Sequence, residues 1–156
     1  MSLELITPVN DNFRRDLDVA DPTLLDPTVA NSLVQGEWLV RNTSGKLARV
    51  GASSVKLAYQ MFTPKGDFSA QAIGKVTALQ LHAYEADTDM FFDGGAGFAI
   101  GDQITVKQVT IDSVVRSAIT QAGSGDYVYG VVTKDPATNG GKLRFQAQEP
   151  SHVVLP

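Results

Sequence analysis

The chain has 156 residues, 43% of them apolar and 19% charged, which suits one globular domain with a core of its own. It contains no cysteine and two histidines, His82 and His152, so thiol nucleophiles, thiolate metal sites, disulfides and multi-histidine centres are all excluded. The formal charge of −4 offers no basic surface for direct nucleic-acid binding, and no run of about 18 apolar residues or basic-then-apolar leader is present, so a soluble protein made without export is expected.

Residues 1–35 read as an extended N-terminal arm. Glu4, Asp11, Asp16, Asp18, Asp21 and Asp26 oppose only Arg14 and Arg15, so this stretch accounts for the whole formal charge of −4. Pro8, Pro22 and Pro27, with Asp-Pro-Thr at 21–23 and again at 26–28, favour turns and extended backbone. A short helix is expected from Pro27, capped by Asp26, through Val29, Leu33 and Val34 to Gly36. The arm also carries more apolar side chains than a solvated tail tolerates. Leu5, Ile6, Val9, Phe13, Leu17, Leu24 and Leu25 are therefore the candidate anchoring residues, suited to adding a strand to a partner's sheet edge. On this reading 36–156 is a β domain that stays folded without residues 1–35.

From Gly36 onward the apolar period is two, the signature of half-buried strands. Segments 37–41 and 46–50 flank Asn42-Thr-Ser-Gly45, a hairpin loop in which the glycine supplies a positive φ. Val55, Leu57, Tyr59 and Met61 form one alternating set, Leu79, Leu81 and Ala83 a second, and Leu143, Phe145 and Ala147 a third. Between 104 and 119 the alternation changes parity, from Ile104 and Val106 to Val109 and Ile111, which predicts a bulge or tight turn near Lys107 and Gln108. Residues 126–133 are apolar on both faces, which suits a strand that sits centrally or is covered by another layer. Asn139-Gly-Gly141 links that strand to the next, and the proline-bounded tail 149–156 reads as an edge or docking strand. About eight short strands imply a mainly β fold, an antiparallel β-sandwich or β-barrel.

No local grouping supports catalysis. The acids of 85–93 begin like a calcium loop, but Phe91 stands where an oxygen ligand belongs, so a solvated loop is expected rather than a metal site. Glycines 94, 95, 97 and 101 are followed by strand-like alternation rather than a helix, so they make a connecting loop, not a phosphate cradle. Ser124 lacks the flanks of a nucleophile elbow. His82 and His152 read as surface histidines, and no two acids have a spacing that fixes a catalytic pair. No enzyme, cofactor or metal is expected. Phe91 and Phe92 are too large and apolar for an open loop; they either fold back on the core or contact a neighbouring subunit.

Gly36-Glu-Trp-Leu-Val-Arg-Asn-Thr-Ser-Gly-Lys-Leu-Ala-Arg-Val50, Ala72-Ile-Gly-Lys-Val76, Gly101-Asp-Gln-Ile-Thr-Val-Lys107, Gly125-Asp-Tyr-Val-Tyr-Gly-Val-Val-Thr133 and Gly140-Gly-Lys-Leu-Arg-Phe145 resemble stretches of small β-rich head proteins of tailed bacteriophages. The resemblance implies a capsid decoration, or cement, protein on the virion surface, made in the host cytoplasm. It would bind the major capsid protein at junctions between capsomers and self-associate, most often as a homotrimer, with no catalytic residues and no nucleic-acid or membrane partner. The alternative is a β-sandwich carbohydrate-binding module, such as a tail or baseplate component, using Phe91 and Phe92 with Ca²⁺ held by the 85–93 acids.

Overall fold

A computed structural model describes residues 2–7, 9, 13–53, 55–56, 58–80 and 82–152. The protein is mainly β, with eleven strands among the described residues, numbered in chain order and arranged as two antiparallel sheets in the manner of a sandwich. The six-stranded sheet runs β1 (Leu3–Leu5), β7 (Glu85–Thr88), β11 (Leu143–His152), β10 (Tyr127–Lys134), β8 (Gln103–Ile111) and β9 (Val114–Gln121). The five-stranded sheet runs β2 (Arg14–Asp18), β6 (Lys75–Gln80), β5 (Tyr59–Met61), β3 (Trp38–Arg41) and β4 (Leu47–Arg49). An isolated parallel bridge joins Val19 to Leu47, and another joins Phe91 to Ile119, so each sheet curls until residues beyond one of its strands meet an edge strand.

Three apolar clusters explain the sequence pattern. The largest lies between the sheets and contains Trp38, Leu79, Tyr84, Ile104, Tyr129 and Phe145. A second covers the outer face of the five-stranded sheet, where Leu39, Leu47, Met61 and Val76 meet Val19, Leu25 and Leu33. Neighbours such as Trp38 and Leu39 thus point to opposite faces and are both fully buried. The third cluster sets Val34, Met90 and Ala118 against Val109 and Ile111. This replaces the bulge expected near Lys107: the β8–β9 ladder is unbroken from Ile104↔Gln121 to Ile111↔Val114. The parity changes because Ile104 and Val106 face the inter-sheet core while Val109 and Ile111 face the small cluster. The tight turn sits at Asp112 and Ser113, whose φ values of 50° and 64° match a two-residue hairpin connection.

The other hairpin forms as the sequence predicts. Asn42 Oδ1 accepts from the amides of Ser44 and Lys46, and Gly45 adopts φ 76°. The doubly apolar strand β10 is interior, between β11 and β8. Its Gly130 allows close contact at a register shift, since a Cβ there would lie 2.2 Å from the Gln146 carbonyl oxygen. The tail continues strand β11 along β10 to His152, past Gln146, the last residue paired with β7, while 153–156 lie outside the described residues. So do Leu57 and Leu81 from the expected alternating sets; β5 begins at Tyr59 and β6 ends at Gln80.

The first 35 residues differ most from expectation. Rather than standing off as an arm, they supply an outer strand to each sheet, β1 pairing with β7 and β2 with β6. The expected helix at 27–34 is absent, and a 3₁₀ turn forms one Asp-Pro-Thr copy earlier, over Pro22–Leu25. Both copies make the same local turn, with Asp21 accepting from the Thr23 amide and hydroxyl and Asp26 from those of Thr28. After the second copy the chain folds back, and the Leu33 amide donates to the Leu24 carbonyl. A six-residue helix, α1 (Phe68–Ile73), lies outside any periodic signal; Asp67 caps its start and Gly74, at φ 68°, ends it.

Candidate functional site

The structure disperses the chemistry-bearing residues. The acidic stretch 85–93 is not a solvated loop at its start but strand β7, and its carboxylates have separate partners. Asp87 takes a bidentate pair of bonds from Arg144, at 2.7 and 2.9 Å, and a third from Asn139. The Arg144 bonds hold its pKa below the ordinary carboxylate value. Glu85 accepts from the Thr133 hydroxyl and Asp93 from the Gly95 amide. Among the described residues no three His, Asp or Glu side chains gather in a metal-binding group. His82 stacks on Phe13 at 3.7 Å, with its Nδ1 3.0 Å from the Gln80 carbonyl oxygen.

The densest polar grouping escaped the sequence reading. Glu37, fully buried, accepts from Arg49 Nε and Nη2, from Arg116 Nη1 and from the amides of Val34 and Ser117. Arg49 also donates to the carbonyls of Asn31 and Ser32, and Arg116 to that of Ser32. Every bond runs to another part of the same chain, so the grouping clamps β4 and β9 to the 31–37 segment. The hairpin could have revealed half of it, because the turn at 42–45 brings Leu39 opposite Arg49 and leaves Glu37 diagonally adjacent. Nothing local points to Arg116.

What the surface does offer is large apolar side chains. Of the candidate anchors, Val9 and Leu25 are buried in the domain's own clusters, and Leu5, Phe13, Leu17 and Leu24 are half-buried against them. Only Ile6 stays exposed, so most of these groups are already covered by their own chain. Phe91 also folds back, edge-to-face with Phe98 at 5.7 Å, whereas Phe92 is 43% exposed. Near it in the chain, at the end of the same glycine-rich loop, Ile100 is 68% exposed. On α1, Phe68 is 87% exposed and Ile73 63%. The helix geometry explains Phe68: Ala70 is the residue turned into the core, and a residue two positions away lies on the far side of the helix. Fully burying a side chain of this size contributes about 1.5–3 kcal/mol, so leaving it in water is a standing cost.

Two hollows flank this region. A groove of ≈ 310 Å³ runs beside α1, with Asp16, Asp67, Lys75 and Thr77 among its walls and Ile73 on its lip. An apolar cavity of ≈ 200 Å³ is lined by Val19, Leu24, Leu33, Leu47 and Ala48 together with Asp21 and Arg49. The chain matches no protein-family model, and comparison with curated proteins and with solved structures found no match.

Proposed function

We propose that this chain is a non-enzymatic structural protein of a tailed-phage virion, decorating the capsid by binding the major capsid protein and associating with its own copies. The resemblance of most of residues 36–148 to phage head proteins supports the class. The observation that carries it is the display of large apolar side chains beside both sheets, Phe68 and Ile73 on α1 by the five-stranded sheet and Phe92 and Ile100 on a loop of the six-stranded sheet. A cement protein needs two kinds of contact, one to the shell and one to a neighbour, and large apolar side chains displayed beside both sheets supply groups for each. The first 35 residues serve this function by building the domain rather than by reaching out from it.

The test is co-sedimentation of the purified protein with undecorated shells of its cognate capsid protein. The native chain should pellet with shells at a fixed stoichiometry, and the double variant Phe92→Asp with Ile100→Asp should stay in the supernatant while keeping its circular dichroism. A native chain that never pellets with those shells would overturn the reading.

A further inference from the structure

We infer that Asn139 is a site of spontaneous deamidation in the folded protein, and that its loss of the amide loosens the junction of β1, β7 and β11. Of the five asparagines in the chain, Asn139 is the one followed by glycine, whose missing side chain leaves the next backbone nitrogen open to the carboxamide. The surroundings leave it open as well. Gly140 is exposed, at φ 64°, and its N–H donates no hydrogen bond among the described residues. The turn around it is loosely tied: Asn139 N lies 3.3 Å from the Pro136 carbonyl oxygen and Lys142 N 3.2 Å from that of Asn139, both at the long end of hydrogen-bond distances. The carboxamide is held only by its amino end, since Nδ2 donates to Asp87 Oδ1 and to the Lys142 carbonyl, each at 3.0 Å. Both partners are acceptors, which fixes the orientation of the amide. The other described asparagines differ. Asn31 precedes the fully buried Ser32, and Asn42 precedes a β-branched threonine while its Oδ1 accepts from the amides of Ser44 and Lys46.

In the reaction the Gly140 nitrogen gives up its proton to solvent base and bonds Asn139 Cγ. The Cγ–Nδ2 bond breaks, and the amino group takes a proton from water and departs as ammonia, leaving a cyclic imide. Water then opens the imide, at the side-chain carbonyl to an aspartate and at the main-chain carbonyl to an isoaspartate. Either product removes the donor and adds a negative charge at the turn. The consequence falls on Asp87, which pairs with Glu4 of β1 on one side and with Arg144 of β11 on the other. Arg144, bonded to both Asp87 oxygens, must then serve two carboxylates, and the Lys142 carbonyl loses its donor. Repulsion between the two anions and the bonds left unmade both weaken this junction. The chemistry belongs to the domain itself and is independent of shell binding.

The experiment is incubation of the full native chain in mildly alkaline buffer, followed by peptide mapping with mass spectrometry and an isoaspartate assay. A parallel sample is held unfolded in guanidinium chloride. In the folded chain the peptide containing Asn139 should progressively lose its amide, and faster in alkaline than in mildly acidic buffer, because the attacking nitrogen must be deprotonated. The peptides containing Asn31 and Asn42 should stay intact. The aged protein and the variant Asn139→Asp should both unfold at lower urea concentration than the fresh native chain, and added salt should narrow the gap by screening the repulsion. An Asn139 amide that persists in the folded chain, whether or not it is lost in the unfolded sample, would overturn the inference, as would a converted chain with the native urea midpoint.

Discussion

Glu37 shows how much one side chain can decide in this fold. A carboxylate with no exposed surface is tolerable only because two guanidiniums and two backbone amides surround it. Removing it leaves Arg49 and Arg116 facing each other without an anion between them. Glu37→Ala should therefore lower the unfolding free energy by about 3–5 kcal/mol, read as a drop in urea midpoint, whereas Glu4→Ala, whose Lys142 partner is exposed, should shift it by less than about 1 kcal/mol. Equal effects of the two substitutions would show that the clamp is not what holds β4 and β9 to the 31–37 segment. At this scale the sequence is least legible, since Glu37 and Arg116 lie far apart in the chain and meet only because the two sheets stack.

Among the elements, legibility follows length. The hairpin around Asn42 and Gly45 and the interior strand β10 could be read directly, because turn chemistry and a doubly apolar run are local signals. The three-residue β1 and the four-residue β7 could not, since neither is long enough to display a period. Nor could the destination of the first 35 residues be read. Their apolar content announces burial, but a side chain packed on its own domain and one awaiting a partner look alike in sequence. The structure supplies the difference: Val19, Leu25, Leu33 and Val34 complete the second and third clusters, and β1 and β2 complete the sheets. A chain beginning at Gly36 should therefore fail to fold, giving no cooperative thermal transition by circular dichroism. A sharp transition near the full-length melting temperature would restore the view of residues 1–35 as a separable arm.

For the whole molecule, the clusters share strands and so cannot melt one at a time. Trp38 in β3 faces the inter-sheet core while adjacent Leu39 faces the outer one, and β8 serves the core with Ile104 and the third cluster with Ile111. Trp38 is the only tryptophan, so its fluorescence reports the centre of the molecule while far-ultraviolet circular dichroism reports the backbone throughout. The two should trace one coincident urea transition. Separated transitions would mean that the sheets unfold independently. The bridges that join Val19 to Leu47 and Phe91 to Ile119 have a further consequence. Edge strands are where β proteins polymerise, yet here β1 and β4 are three residues long, β2 is lined with Arg14, Arg15, Asp16 and Asp18, and β9 is partly covered by residues 90–92. Edges built this way leave little backbone for another strand to pair with, so contact with any other molecule would fall to displayed side chains rather than to the backbone.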